Sequence, residues 1–371
     1  MRVVLEGCNG EWAQEHYLPL LVNKAAGGEI RLWAIDIQQQ IKFATQNVAG
    51  LWQIARSKGN ALYLHNIRDN VAPHEIPASI DYVFIVTPDR YHCEIAEFWL
   101  ERLNNGGKIF IEKPLDVSLK KPREIKSKIG EDNIVYGFDH YLARAYPFLR
   151  EQNHYLEKIG NISEIEFNIL EPSSIPVSHI KTLDKGVIFD LFCHVLAVVG
   201  AIAVRNFTPS GAILQTVRKI EVKPAQYRNC PISGETFARI KFSISDNVKV
   251  SAMVGKGIAG SSDKRVKIYG EDGRIRLDFE ENHFVCDYSS GQKDEGQLES
   301  NHVESFVEAV LKERGPLSAP GVLSFDSALA ILELLCQAKS KVGKIPRYDI
   351  GTSAAEILKT RKTTRSSSRN F

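Results

Sequence analysis

The chain opens with short, almost unbroken apolar runs that alternate with longer amphipathic stretches. Arg2–Glu6, Ile30–Asp36, Tyr82–Val86, Lys108–Glu112 and Ile134–Phe138 read as strands, and Trp12–Lys24, Gln38–Lys58, His92–Asn104 and Pro122–Ile129 as helices. Strands apolar at nearly every position are buried on both faces, which calls for parallel neighbours joined by helical crossovers. The pattern then changes. Asn161–Leu170 alternates apolar and polar residues, as a strand with one wet face does, and Ile213–Val222, Phe237–Ser243, Val248–Val254, Arg265–Tyr269 and Arg274–Phe279 follow. Asp246-Asn247 and Asp272-Gly273 are the clearest hairpin turns. Helices are expected over Gly186–Val199, Val303–Lys312 and Phe325–Lys341. The predicted fold is α/β: a parallel sheet over residues 1–139, then an α+β domain over 140–358 with an open, mostly antiparallel sheet covered by helices on one face. A basic, Ser/Thr-rich tail, 359–371, reads as disordered.

Composition narrows the function classes. A formal charge of +2 over 371 residues, with no basic stripe in the folded part, excludes the usual nucleic-acid footprint. No apolar run approaches the roughly 20 residues of a membrane span, and Met1–Leu5 reads as a strand and not as a signal peptide. None of the 6 cysteines pairs as CxxC, so no metal or redox motif is visible; they read as reduced thiols in a cytoplasm.

The first turn carries chemistry. Gly7-Cys8-Asn9-Gly10-Glu11-Trp12-Ala13 follows the first strand and opens a helix. Gly7 permits the tight turn, Gly10 lets backbone approach a pyrophosphate, and the helix N-terminus offers N–H groups to an anion. The spacing is GxxGxxA and not GxGxxG, so the acid at the end of the second strand adds weight. Asp36 stands where a carboxylate accepts hydrogen bonds from the adenosine ribose, and it would repel a 2′-phosphate. This is a Rossmann-type signature favouring NAD over NADP. Thr87-Pro88 ends a later strand, where crevices of open parallel sheets collect ligands. His92 reads as a surface residue at a helix start.

Several segments resemble the glucose–fructose oxidoreductase / inositol dehydrogenase family. Val86-Thr87-Pro88-Asp89-Arg90-Tyr91-His92 is similar to its TPxxxH strand end, Glu112-Lys113-Pro114 to its EKP signature, and Asp190-Leu191-Phe192-Cys193-His194 to its DxxxH helix. Lys264–Gly270 with Gly273 resembles its late hairpin, and His302, Val303, Phe306 and Ala309 its penultimate helix. The resemblance implies that Lys113 contacts substrate and nicotinamide, and that Asp190 and His194 handle a substrate hydroxyl. It completes an expected cofactor set of Gly7, Asn9, Gly10, Glu11, Trp12, Asp36, Thr87, Pro88, His92, Glu112 and Lys113. Two segments, Leu18-Pro19-Leu20 and Asp139-His140-Tyr141-Leu142-Ala143-Arg144, are similar to glucose-6-phosphate dehydrogenases. That likeness implies that His140, Tyr141 and Arg144 hold an anionic group while Asp139 pairs with the catalytic histidine.

Together these features point to hydride transfer between NAD and a hydroxyl or ketone of a sugar, sugar phosphate or cyclitol. Oxidation of an alcohol releases a proton as well as a hydride, and an imidazole is suited to take it near neutral pH. His194 is the expected base, with Asp190 and Asp139 orienting it and Lys113 beside the reacting oxygen. A homodimer or homotetramer is expected through the open sheet. Two other readings stay open at this stage: a non-catalytic NAD-binding sensor, and a reductase of a non-sugar ligand.

Overall fold

A computed structural model describes residues 1–66, 77–129, 134–174, 185–203, 216–227, 234–244, 248–260, 262–313, 319–349 and 352–359. The chain folds into two compact units, Met1–Ala143 with Asn301–Leu332, and Arg144–Ser300 with Glu333–Phe371. It leaves the first unit after Ala143 and returns to it for Asn301–Leu332, a segment that the sequence reading assigned to the second domain.

The first unit is built on β1 (Arg2–Glu6), β2 (Arg31–Asp36), β3 (Ala61–His65), β4 (Ile80–Ile85), β5 (Leu103–Glu112) and β6 (Val135–Phe138). They lie in the order β6-β5-β4-β1-β2-β3, all parallel, with Val322–Ser324 added antiparallel beside β6. Val3, Val4 and Leu5 of β1 and Ile109, Phe110 and Ile111 of β5 are all buried, as unbroken apolar runs require. The crossovers carry α1 (Leu18–Gly27), α2 (Gln46–Ser57), α3 (His92–Leu100) and α4 (Lys120–Ile129). Aromatic packing explains the returning segment. Phe306, from helix His302–Glu313, stacks on Phe138 at 4.1 Å and meets Phe84 and Phe110 edge-on. Gly137 leaves room for that segment, since a Cβ there would lie 2.9 Å from Ala328 Cβ.

Two local expectations need correction. The first helix does not run evenly from Trp12: Ala13–Tyr17 is a π-turn and the α-helix begins at Leu18, because Pro19 has no N–H for the regular ladder. The stretch Gln38–Lys58 is helical only from Gln46, where Thr45 caps the helix by accepting from the Val48 N–H. The residues before it are held instead by Asn9 and Gln14, which bond to the backbone of Gln40, Lys42 and Ala44. The strand Ala61–His65 was not read at all.

The second unit carries β7 (Ile162–Pro172), β8 (Val217–Tyr227), β9 (Phe237–Ile244), β10 (Val248–Ile258), β11 (Asp263–Gly270), β12 (Gly273–Asp278), β13 (His283–Tyr288) and β14 (Lys293–Gln297). Their order is β14-β13-β12-β11-β7-β10-β9-β8, with Arg347–Tyr348 beyond β8. Pairing is antiparallel except for β7 with β10 and β8 with Arg347–Tyr348. The Asp272-Gly273 turn joins β11 to β12 as expected, setting Tyr269 opposite Arg274; Asp246-Asn247 lies outside the described residues. β13 and β14 went unread.

Alternation along these strands sets one face inward. Ile165, Phe167, Ile169, Ile240, Phe242, Val250, Ala252, Val266 and Ile268 are buried, and helix Phe192–Ala203 sets Phe192 edge-on to Phe242. The alternate positions Glu166, Asn168, Lys241, Arg265 and Lys267 are polar, and ion pairs such as Lys267–Glu166 run across them. The expected helix Gly186–Val199 is two segments, Val187–Asp190 and Phe192–Ala203, interrupted at Leu191. Cys8, Cys93, Cys193, Cys286 and Cys336 are free thiols, and Cys230 lies outside the described residues. Among the described residues no helix is long and apolar enough to cross a membrane.

Candidate functional site

The carboxyl ends of the parallel strands gather the residues expected around a dinucleotide. Gly7 leaves β1 with φ +82°, and a Cβ there would fall 2.6 Å from the Val86 carbonyl oxygen. Only glycine fits so close to the end of β4. Gly10 turns back with its N–H 3.0 Å from the Gly7 carbonyl. Gly10 and Glu11 are exposed, so the backbone of this loop is open to a ligand. Asp36 ends β2 beside it. One carboxylate oxygen accepts from the Asn9 N–H at 3.0 Å and the other from the Gln38 N–H at 3.1 Å. These bonds fix the carboxylate against the glycine loop.

Glu112 is the hub of this end of the sheet. It is buried at the end of β5, and its Oε1 accepts from Trp12 Nε1 at 2.9 Å and from the Tyr17 hydroxyl at 2.7 Å. Burial pushes its carboxyl up to about 7, an effect that the Tyr17 and Trp12 hydrogen bonds and the Lys113 charge oppose and the Asp139 charge adds to. Burial also holds the Tyr17 hydroxyl well above its ordinary range. The Trp12 ring lies 3.9 Å from His16, 5.1 Å from His140 and 6.4 Å from His302. The loop, the end of β5 and the starts of two later helices thus meet at one indole. Burial lowers the His16 imidazole, against the pull of Glu15. Lys113 follows Glu112 directly and is half-buried.

His92 corrects an expectation. It is 1 % exposed and therefore not a surface residue. Its ring spans the ends of two strands, contacting the backbone carbonyls of Thr87 and Pro114.

Asp139 caps helix His140–Ile159, accepting from the Leu142 N–H at 2.9 Å, and is buried. Tyr141 is buried beside His140, with ring centroids 4.9 Å apart. In the second unit, Arg144 donates from Nη2 to Asn282 Oδ1 at 2.7 Å, and its guanidinium lies over the Phe279 ring.

Asp190 and His194 sit on the two successive helical segments of the second unit, and His194 is buried. The first segment is anchored by Glu235, a buried residue the sequence reading missed. Glu235 accepts from the Ile188 N–H at 3.1 Å and from Lys339, and its carbonyl takes the Val187 N–H. Asp190 then pairs with Lys256 Nζ at 2.9 Å, and Glu171 stands 3.6 Å from the same ammonium. Lys256 was also missed. Its signal was the Gly255-Lys256-Gly257 sequence inside a strand, for glycine there marks a bulge or a close approach. The register of β10 against β7 shifts between Gly255 and Ile258, and Gly257 has φ +77° with the Tyr227 ring against it.

Residues 1–140 match the model of the oxidoreductase family with an NAD-binding Rossmann fold, GFO_IDH_MocA. That segment carries the glycine loop, Asp36, Thr87-Pro88 and Glu112-Lys113 described above. No curated protein sequence matches the chain. Solved structures share the fold of both units. UDP-N-acetylglucosamine 3-dehydrogenase from Acidithiobacillus ferrooxidans superposes with a TM-score of 0.65 at 16% identity, covering 92% of this chain and 97% of that one. Levoglucosan dehydrogenase, in complex with NADH and levoglucosan, gives 0.64 at 16% identity over 92% and 97%. A glucose-6-phosphate dehydrogenase in complex with its substrate gives 0.69 at 12% identity over 100% and 98%.

Proposed function

We propose that this protein is an NAD-dependent dehydrogenase that oxidises a hydroxyl, or reduces the corresponding ketone, of a sugar, sugar phosphate or cyclitol. The observation that carries the reading is Lys113, at the end of β5 in the same unit as the Gly7–Gly10 loop and Asp36. A cation is thereby set at the carboxyl edge of a sheet whose opening turn fits a pyrophosphate. The fold is that of dehydrogenases acting on levoglucosan, a nucleotide sugar and glucose 6-phosphate.

Gly7, Gly10 and the backbone of Asn9, Glu11 and Trp12 fit the pyrophosphate, and Asp36 fits the adenosine ribose and favours NAD over NADP. Bound NAD supplies the hydride acceptor. Lys113 donates to the substrate oxygen and steadies the negative charge that grows there. His194 takes the hydroxyl proton. Asp190 holds the Lys256 ammonium, which with Glu171 offers donors and acceptors to neighbouring hydroxyls. Thr87 and Pro88 border the nicotinamide side. His140, Tyr141 and Arg144 are read as the grip for an anionic substituent, the role of Arg144 resting on its planar fork. The polar face of the second unit's sheet is read as the surface joining copies into a homodimer or homotetramer.

The test is an NAD- and NADP-linked activity screen over sugars, inositols and their phosphates. On the substrate it finds, Lys113→Ala and His194→Ala should each lower turnover about 10²–10⁴-fold. Near-normal turnover in His194→Ala would make that residue a core histidine and remove the proposed proton path.

A further inference from the structure

The His92 ring has Nδ1 2.8 Å from the Pro114 carbonyl oxygen and Nε2 2.7 Å from the Thr87 carbonyl oxygen. A carbonyl oxygen can only accept. A neutral imidazole has one N–H and would turn a lone pair toward the second oxygen. Both separations are full hydrogen-bond lengths, and two carbonyl oxygens can be served at once only by a ring that carries both N–H groups. A buried cation calls for a counter-charge. Asp116 supplies it: buried, two residues past Pro114, it interacts electrostatically with His92. Its Oδ1 is fixed by the Val117 and Ser118 N–H groups at 2.6 and 3.0 Å. The Cys93 thiol on α3, beside Asp116, donates to the Leu115 carbonyl and is kept neutral by burial. Glu97 and Lys121 stand beyond it and act on that thiol.

The two carbonyls belong to neighbouring strand ends. Thr87 follows β4, and Pro114 follows Lys113 at the end of β5. We propose that His92 is a positioning residue: a doubly protonated crossbar that fixes the Lys113–Pro114 turn against the Thr87 strand end while touching neither substrate nor cofactor. The placement of the Lys113 ammonium then depends on a proton carried by another residue. Loss of that proton sets a lone pair against a carbonyl oxygen, and the turn must move or one contact must open. This inference rests on the reading of Lys113 given above.

Ring-nitrogen NMR of the full chain labelled with ¹⁵N-histidine tests it directly. The His92 signals are identified by their absence in His92→Gln. In neutral buffer both ring nitrogens should carry a proton; a His92 ring with a single N–H overturns the crossbar, whatever the enzyme does. His92→Gln can donate to only one of the two carbonyls. It should lower kcat about 10–100-fold, the worth of one charge-assisted hydrogen bond, with NAD affinity unchanged. A folded variant with wild-type kcat also overturns the proposal. Should His92→Gln fail to fold, the signals can be identified by the hydrogen-bond couplings from the ring to the Thr87 and Pro114 carbonyl carbons. If both nitrogens carry protons but no sugar or cyclitol is oxidised, the crossbar stands and the reading of Lys113 falls.

Discussion

Replacing Glu112 by Gln should change how stability depends on pH, and the size of the change follows from where Glu112 sits. In the folded chain burial pushes its carboxyl from 4.5 to about 7. That difference corresponds to about 3 kcal/mol against the ionised form. The sign follows from proton binding. Between 4.5 and about 7 the folded state holds the proton and the unfolded chain has released it. Stability therefore falls as pH rises through that window, by about 3 kcal/mol in total, and is flat in this contribution on either side. Gln keeps an oxygen for Trp12 Nε1 and the Tyr17 hydroxyl but has no proton to lose. Its new amide donors add an offset that does not vary with pH. Urea unfolding of both proteins at steps from pH 4 to pH 8.5 gives the difference curve, in which the titrating groups remote from Glu112 cancel. The variant should gain about 3 kcal/mol relative to wild type between the acid and alkaline ends. A difference curve that stays flat across the window would refute the claim that Glu112 is ionised at a cost inside the fold.

Three further outcomes are expected. Phe306→Ala should destabilise the protein by about 3–5 kcal/mol, because it empties the contact of the returning helix with Phe84, Phe110 and Phe138; thermal or urea unfolding reads it, and a loss under about 1 kcal/mol would place that helix's anchor elsewhere. Asp36→Ala should narrow the preference for NAD over NADP by removing the repulsion of a 2′-phosphate, as measured by the two dissociation constants; equal constants in the unmodified protein would remove the premise. Arg144→Ala should raise KM for a phosphorylated substrate with kcat and NAD affinity nearly unchanged, since the lost contact holds ground and transition states alike; an unchanged KM would return the substrate to a neutral sugar or cyclitol.

The sequence was informative where chemistry and local pattern coincide. Unbroken apolar runs at Arg2–Glu6 and Lys108–Glu112 marked buried parallel strands, and the alternation in Asn161–Leu170 marked a sheet with one wet face. Gly7 was legible because a turn pressed against the end of β4 leaves no room for a Cβ. Asp36 was legible because the acid must close the second strand. Elsewhere local signals misled. Gln38–Lys58 has helical periodicity throughout, yet Asn9 and Gln14 claim the backbone of its first part. His92 has the polarity of a helix start but lies in the interior, because two carbonyls that no pattern announces stand on either side of its ring.

What the sequence by itself determined is most of the strands and helices, the glycine turn after β1 and the acid that closes β2, since each rests on residues adjacent in the chain or on a period of two or 3.6; Lys113, Asp190 and His194 were picked out by resemblance to the EKP and DxxxH segments. Only the tertiary structure decided that Glu112 collects Trp12 and Tyr17 from residues 100 and 95 positions away. It alone decided that Lys256 meets Asp190 and that Phe306 brings Asn301–Leu332 back to the first sheet. These are pairings between side chains remote in sequence. Their energies depend on burial and distance, quantities that exist only once the chain has closed on itself.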